Sequence, residues 1–269
     1  MRPFLLGLVI TIVLSSVRGL LYYFANRAVY YPIKYPQGEW ELQRAAGATD
    51  AWIETSDGVK IHGWWVQRDG STWATLFLHG NAGNISYRTR HIQEIVAAGS
   101  SILMLDYRGY GKSNGRPSEQ GLYRDSEAGF IYLLGKGYRA EQIVIQGESL
   151  GSAVAIDLAS RRPCAGLILE APFTSASDVA GTVLPVIGPL LVRSFNSMPK
   201  IPWIRVPKFF LHGDRDQVVP LRLGQKLFAA AQGSKTFWVI PGSGHNNILD
   251  VAGPEYRNRL AAFYESLNH

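Results

Sequence analysis

The stretch Ile143–Gly151 constrains the fold more than any other part of the chain. It opens with three apolar residues, which indicate a short buried strand, and continues as Gly147-Glu-Ser-Leu-Gly151, a G-x-S-x-G pattern. Residues 152–159 are mostly apolar, with three alanines among them, and predict a helix. A strand, a sharp turn with a serine at its apex and a helix together form a nucleophile elbow. The alternative is a serine that caps a helix after a strand.

The rest of the chain alternates between strand and helix patterns, which predicts an α/β fold. With 269 residues, 46% of them hydrophobic, the chain can bury one large core. We therefore predict a mostly parallel sheet with helices on both faces, preceded by a hairpin that turns at Asp57-Gly58. The predicted strands are residues 72–78, 101–105, 143–145, 167–170, 208–211 and 235–240, and the predicted helices are residues 87–98, 119–134, 223–232 and 255–267.

Residues 1–25 form an N-terminal hydrophobic segment that predicts a membrane anchor with a single span. The segment is almost wholly apolar up to Val17, and Tyr22, Tyr23 and Phe24 resemble an interfacial aromatic belt. A cleaved signal peptide, which would leave the protein secreted or periplasmic, is the alternative, although no small-residue cleavage motif follows. The flanking basic residues do not settle the membrane side. We then expect residues 26–49 to be a connector and residues 50–269 to form the α/β domain.

The charge distribution limits the classes of binding partner that we expect, and the cysteine content limits the possible disulfides. The formal net charge is +6, but the basic residues are scattered rather than clustered with aromatics, so we expect no nucleic-acid binding. The single cysteine, Cys164, precludes an internal disulfide and is expected to be a small core residue.

A serine hydroxyl is a weak nucleophile, so Ser149 requires a general base. Among six histidines, His245 lies in the loop Gly242-Ser-Gly-His245 after the last predicted strand. Such a loop can bring an imidazole to the carboxyl edge of the sheet, where ligands of open α/β sheets bind. We therefore predict His245 as the base, the alternative being an exposed loop histidine.

The base in turn requires a carboxylate to orient it. Asp214 and Asp216 both follow the predicted strand at residues 208–211, and Glu170 ends the preceding strand. The residues alone do not decide which of these three acids orients His245. We rank Asp216 first, Asp214 second and Glu170 third.

Six short motifs occur in one order along the chain and together resemble the α/β-hydrolases, in particular the Bem46-like and serine aminopeptidase S33-type hydrolases. The resemblance covers about residues 50–267 and implies a triad of Ser149, Asp216 and His245, with the acid in the family pattern H-G-x-x-D-x-x-V at Asp216. It also implies an oxyanion hole formed by the backbone N–H groups of Asn81 and Leu150. The motifs are His79-Gly-Asn-Ala-Gly-Asn84, Asp106-Tyr-Arg-Gly-Tyr-Gly-Lys-Ser113, Gly147–Gly151, Glu170-Ala-Pro-Phe173, His212-Gly-Asp-Arg-Asp216 and Gly244-His245.

Residues 173–206 are apolar and rich in proline, and we expect them to form a short cap over Ser149. The cap predicts an acyl-chain wall or a surface that touches the bilayer, the alternative being an ordinary core helix with connectors. The expected function is a serine hydrolase that cleaves an ester or thioester of an apolar acyl substrate, which is a small molecule or lipid-like, and that requires no metal or organic cofactor. An S33-type peptidase or amidase, with Glu148 as the candidate site for a substrate amine, and a non-catalytic membrane-anchored binding module are the alternatives.

Overall fold

A computed structural model describes residues 29–268 of the protein, together with Ser16 and Gly19. The centre of the fold is an eight-stranded sheet with the order β10-β9-β8-β7-β4-β6-β3-β2, while β1 and β5 form a separate parallel pair. The strands are β1 (Tyr31–Pro32), β2 (Thr49–Glu54), β3 (Lys60–Val66), β4 (Trp73–Leu78), β5 (Ala82–Gly83), β6 (Ser100–Asp106), β7 (Ile143–Glu148), β8 (Gly166–Glu170), β9 (Lys208–Gly213) and β10 (Lys235–Ile240).

All strand pairs of the large sheet are parallel except those that β3 makes with β2 and β6. This confirms the predicted mostly parallel sheet. Strands β4, β6 and β8 are buried at every residue, since helices cover both faces of the sheet, whereas the edge strand β2 alternates between exposed and buried side chains near its end.

Residues 29–268 contain nine α-helices, which lie between the strands or after the last of them along the chain. Helices α2 and α9 contribute to the apolar core on one face of the sheet, and α3, α4 and α7 to the core on the other. The helices are α1 (Leu42–Ala45), α2 (Thr89–Ala97), α3 (Glu119–Gly135), α4 (Leu150–Arg161), α5 (Ala176–Val183), α6 (Gly188–Leu191), α7 (Leu221–Ala230), α8 (Ile248–Ala252) and α9 (Pro254–Ser266).

The cap contains α5 and α6, which pack tightly against each other between β8 and β9. Ser175 caps the start of α5 by accepting a hydrogen bond from the backbone N–H of Asp178 at 3.0 Å. Gly188 begins α6, and a Cβ atom there would clash with the carbonyl oxygen of Ala180. A larger residue at position 188 would therefore push the two cap helices apart.

The described part of the connector packs on the sheet. Tyr31 and Pro32 pair with Ala82 and Gly83, and the ring of Trp40 makes an edge-on contact with that of Trp64, with 5.6 Å between centroids. Apart from Ser16 and Gly19, the N-terminal hydrophobic segment lies outside the described residues, and the anchor and the signal peptide both stay predictions. Across the part of the chain that is described, no helix is long and apolar enough to cross a membrane.

Candidate active site

Ser149 occupies a strained turn between β7 and α4. Its backbone has φ 52° and ψ −113°, a region that residues with a side chain rarely adopt. A Cβ atom on Gly147 would clash with the carbonyl oxygen of Gly151, and one on Gly151 with that of Leu78. The two glycines therefore let the helix approach the strands closely, and the backbone N–H of Ser149 donates to the carbonyl oxygen of Glu170 at 2.8 Å, which holds the turn.

The structure brings Ser149, His245 and Asp216 together in one hydrogen-bonded chain. The Nε2 atom of His245 lies 3.0 Å from the Oγ of Ser149, and its Nδ1 atom lies 2.7 Å from an Oδ of Asp216. An ionised carboxylate only accepts hydrogen bonds, so the proton resides on Nδ1. The lone pair of Nε2 therefore faces the serine hydroxyl, as a general base requires.

The carboxylate of Asp216 interacts with other groups besides the imidazole of His245. Its second oxygen accepts hydrogen bonds from the backbone N–H groups of Val218 and Val219 at 2.9 and 2.7 Å. The buried imidazole of His212 lies 3.4 Å from the oxygen that faces His245. Burial alone would raise the pKa of Asp216, but hydrogen bonds from His212, His245 and Val219 outweigh it and hold the pKa well below its usual range. Asp216 is consequently ionised at neutral pH.

The other two candidate acids are bonded elsewhere. Asp214 accepts a hydrogen bond from the backbone N–H of Gly242 at 2.7 Å, at the surface. Glu170 is buried and accepts a hydrogen bond from the hydroxyl of Tyr256 at 2.6 Å. Of the three acids, Asp216 is the one whose carboxylate contacts His245.

The predicted oxyanion-hole residues, Asn81 and Leu150, both line the cavity that contains Ser149. The carbonyl oxygen of Asn81 is fixed from two sides, by the backbone N–H of Tyr31 at 3.0 Å and the hydroxyl of Tyr110 at 2.8 Å. Among the turn, loop and cap hydrogen bonds of residues 29–268, none is donated by the backbone N–H group of Asn81 or of Leu150.

Glu148 directly precedes Ser149, and its carboxylate is paired with the guanidinium of Arg88. Its carboxylate accepts a hydrogen bond from the Nε of Arg88 at 2.9 Å and a longer one from the backbone N–H of Gly80 at 3.3 Å. Burial would raise the pKa of Glu148, but the adjacent Arg88 guanidinium outweighs it and holds the pKa below its ordinary value. Its charge therefore neutralises Arg88.

A cavity of about 450 Å³ opens beside Ser149. This volume lies within the range of small-molecule sites. None of the lining residues is charged, and most are aliphatic. They are Val29, Tyr31, Asn81, Ser149, Leu150, Phe173, Ala176, Val179, Ala180, Val183, Leu184, Gly188, Leu191, Val192, Val218 and Val219.

Several site residues were not identified from the sequence. Val29 and Tyr31 belong to the predicted connector, yet both line the cavity. His212 begins one of the six motifs without a predicted role of its own, but it lies against Asp216. Asn247 accepts a hydrogen bond from the backbone N–H of Gly244 at 2.7 Å and so orders the loop that carries His245. The spacing of His212 and Asp216, four residues apart at a strand end, was the one signal that could have suggested their contact.

No group of three or more His, Cys, Asp or Glu residues in the described part of the chain is arranged to hold a metal ion.

Comparisons with known proteins agree with this architecture. A family model described as serine aminopeptidase, S33, matches residues 71–201. An α/β-hydrolase domain-containing protein of Arabidopsis thaliana, WAV2, is 32% identical over 286 aligned residues, which cover 94% of this chain and 91% of the relative. An uncharacterized protein of Mycobacterium tuberculosis, Rv2307c, is 37% identical over 244 residues, which cover 89% of this chain and 86% of the relative.

Solved structures share the fold at lower sequence identity. The esterase Pf2001 of Pyrococcus furiosus superposes with a TM-score of 0.76 at 22% identity, covering 88% of this chain and 98% of the esterase. An esterase of Exiguobacterium antarcticum superposes with a TM-score of 0.64 at 17% identity, covering 82% of this chain and 100% of the esterase.

Proposed function

Because the chain belongs to the α/β-hydrolases of the S33 type, we propose that it is a serine hydrolase that cleaves an ester or thioester with an apolar acyl group. The observation that carries the proposal is the hydrogen-bonded chain Ser149–His245–Asp216 beside a cavity without charged lining. The hydrogen bonds supply a base-activated nucleophile, and the cavity supplies an apolar environment for the acyl group.

In the proposed reaction His245 removes the proton of Ser149 as the serine oxygen attacks the substrate carbonyl. The starting geometry supports this step, since 3.0 Å separates the two atoms that exchange the proton. Asp216 stabilises the imidazolium that forms and keeps the Nδ1 proton in place. The His245 imidazolium then donates its proton to the leaving alcohol or thiol, which departs and leaves Ser149 acylated.

The backbone N–H groups of Asn81 and Leu150 stabilise the negative charge of the tetrahedral intermediate. Leu150 is the first residue of the 12-residue helix α4, so the positive end of the helix dipole also lies at this position. A water molecule, deprotonated by His245, hydrolyses the acyl-enzyme through a second intermediate held by the same groups. The acid is released and Ser149 regains its proton.

An aminopeptidase reaction has less support in the described residues. Such a reaction requires an acidic group to bind the substrate amine, and Glu148 is occupied by Arg88. The residues that line the cavity include no carboxylate. The family match supports the fold, and we assign this chain esters rather than peptides.

We further propose that residues 1–25 attach the protein to a membrane, as the apolar sequence predicts. A membrane-attached hydrolase with an apolar cavity has ready access to lipid-like acyl substrates. The two esterases that share the fold are consistent with ester chemistry, although their identity to this chain is too low to carry over a substrate.

The proposal is tested by a parallel panel of p-nitrophenyl esters from acetyl to palmitoyl and of aminoacyl p-nitroanilides, with Ser149→Ala as the matched control. We expect hydrolysis of esters by the unmodified protein, kcat/KM that rises beyond acetyl, and no hydrolysis by the variant. Faster cleavage of the anilides than of the esters would assign an aminopeptidase. Absence of Ser149-dependent cleavage throughout the panel would point to a non-catalytic binding module.

A further inference from the structure

The cap presents a second apolar surface that does not belong to the cavity. Val186, Ile187 and Leu190 are more than half exposed and are not among the residues that line the cavity. Val183 and Leu184 are also more than half exposed, but they do line the cavity. We call these five residues the cap tip. The cavity therefore opens onto an exposed apolar patch through Val183 and Leu184.

The composition around the cap tip favours an uncharged, apolar contact. Residues 179–192 contain no charged side chain, and two exposed charged residues flank them, Asp178 before the stretch and Arg193 after it. No other stretch of eight residues within 29–268 exposes five large apolar side chains, since the remaining ones are scattered. A clustered exposed patch of this kind marks an interaction surface, whereas single exposed apolar residues do not.

The N-terminal part of the described chain lies at the cavity, and this indicates which surface the cap tip contacts. Val29 lines the cavity, and Phe24, the last aromatic residue of the N-terminal hydrophobic segment, lies five residues earlier in the sequence. Five residues reach at most about 17 Å even when fully extended. The end of the segment is therefore tethered close to the cavity that the cap tip borders, and an anchored protein presents this side to the bilayer.

We propose that the cap tip docks on the lipid bilayer, with its aliphatic side chains at the acyl boundary, so that lipid-borne acyl esters enter the cavity directly. The proposal rests on the proposed function, because it supplies that same site with its substrate. Aliphatic side chains combined with a neighbouring cation are the composition of interfacial membrane contacts, and the exposed Arg193 supplies a cation next to the apolar stretch.

The first test places a nitroxide spin label at the cap tip of the full chain, reconstituted in phosphatidylcholine–phosphatidylglycerol vesicles. Val186→Cys introduces the label site, and the native Cys164 is buried and does not compete. Glu141→Cys is the matched control, since Glu141 is exposed and precedes β7, whereas Ser149 follows β7 at the opposite edge of the sheet. Collision with oxygen, which concentrates in lipid, is compared with collision with a water-soluble nickel chelate.

We expect the label at position 186 to collide with oxygen and to be protected from nickel, while the label at position 141 collides with nickel. Equal nickel collision at both positions would place the cap tip in water and overturn the proposal. Protection of position 186 from both reagents would also overturn it, because that pattern indicates a protein contact such as a second copy of this chain. This measurement does not depend on hydrolysis.

The second test is the double substitution Val186→Glu and Ile187→Glu, at two exposed positions outside the cavity lining. Charged side chains oppose insertion into the acyl boundary, so we expect turnover of a long-chain ester embedded in vesicles to fall about tenfold. Turnover of a soluble acetyl ester should be unchanged, which shows that the variant is folded. Unchanged turnover of the embedded ester would contradict docking, whereas absent acetyl hydrolysis in the unmodified protein would contradict the proposed function itself.

Discussion

The floor and the roof of the candidate site are built in opposite ways. The floor consists of the carboxyl ends of β7 and β9 with the His245 loop, and its polar groups are buried and hydrogen-bonded to one another. The roof consists of α5, α6 and the turn between them, and it carries a group of large apolar side chains that are more than half exposed, namely Val183, Leu184, Val186, Ile187 and Leu190. Polar groups fix atomic positions on the floor, and apolar contacts without directional preference form the roof.

This difference separates the two tasks of a hydrolase. The reacting atoms must be held to fractions of an ångström, which a strained serine and a carboxylate with several donors can achieve. The acyl group varies in length and requires only an apolar cavity of suitable volume. Floor substitutions should therefore change the rate for every substrate, and roof substitutions should change the preference among substrates.

The largest effect is expected from His245→Ala. Removal of the base should lower kcat for all esters by a factor of about 10⁴ or more, with little change in KM, because proton removal from Ser149 is lost. Steady-state kinetics on short and long esters provide the measurement, with Asn246→Ala, an exposed neighbour, as control. A loss confined to long esters would show that His245 acts in binding and would break the separation of floor from roof.

Asp216→Asn is expected to lower kcat by a factor of about 10³–10⁴, because the neutral amide neither stabilises the imidazolium nor fixes its tautomer. Asp214→Asn, two residues earlier and bonded to Gly242 at the surface, is the matched control and should keep nearly full activity. The reverse result, with Asp214→Asn the more damaged of the two, would assign the acid to position 214.

The substitution Ala180→Trp tests the roof, and we expect it to change the preference among acyl substrates. Ala180 lines the cavity, so a larger side chain there excludes long acyl groups and should lower their kcat/KM by about 10–200-fold while sparing acetyl esters. Thr182→Trp, on the same helix but not among the cavity-lining residues, is the control. Uniform loss across the acyl series in Ala180→Trp would mean that the roof also positions the reacting atoms.

The smallest effect concerns stability in acid. The pKa of Asp216 is depressed in the folded state, so its contribution to stability is complete above the ordinary value of about 3.9 and is lost as the pH falls below it. The free energy of unfolding should therefore fall on acidification from about pH 5 to 3, and less steeply in Asp216→Asn. The cap variant Ala180→Trp should retain the slope of the unmodified protein. Equal slopes in Asp216→Asn and the unmodified protein would remove the assigned role of this carboxylate.

The floor could be predicted largely from the sequence because its parts follow strands. Ser149, Asp216 and His245 each follow a strand of clear apolar pattern, and parallel strands bring their carboxyl ends to one edge. Alternation of strand and helix likewise predicted the sheet, although the helix after β4 begins as a 3-10 turn at Ile85. These inferences depend on local patterns that the sequence carries explicitly.

The roof could not be predicted in the same detail. Val183 and Val186 are both valines of one short apolar stretch, but only Val183 lines the cavity. The two-residue strand at Tyr31, which places Val29 and Tyr31 at the cavity, is too short for any periodicity. Each of these features is set by tertiary packing, which no local pattern records.

The most direct test of the account is labelling of the full chain with a fluorophosphonate probe, followed by peptide mass spectrometry. The probe phosphonylates a serine that a base has activated, and we predict modification at Ser149 alone, abolished by Ser149→Ala and strongly slowed by His245→Ala. Modification of another serine, or labelling that persists in Ser149→Ala, would contradict the assignment of Ser149 as the nucleophile and, with it, the role given to the floor of the site.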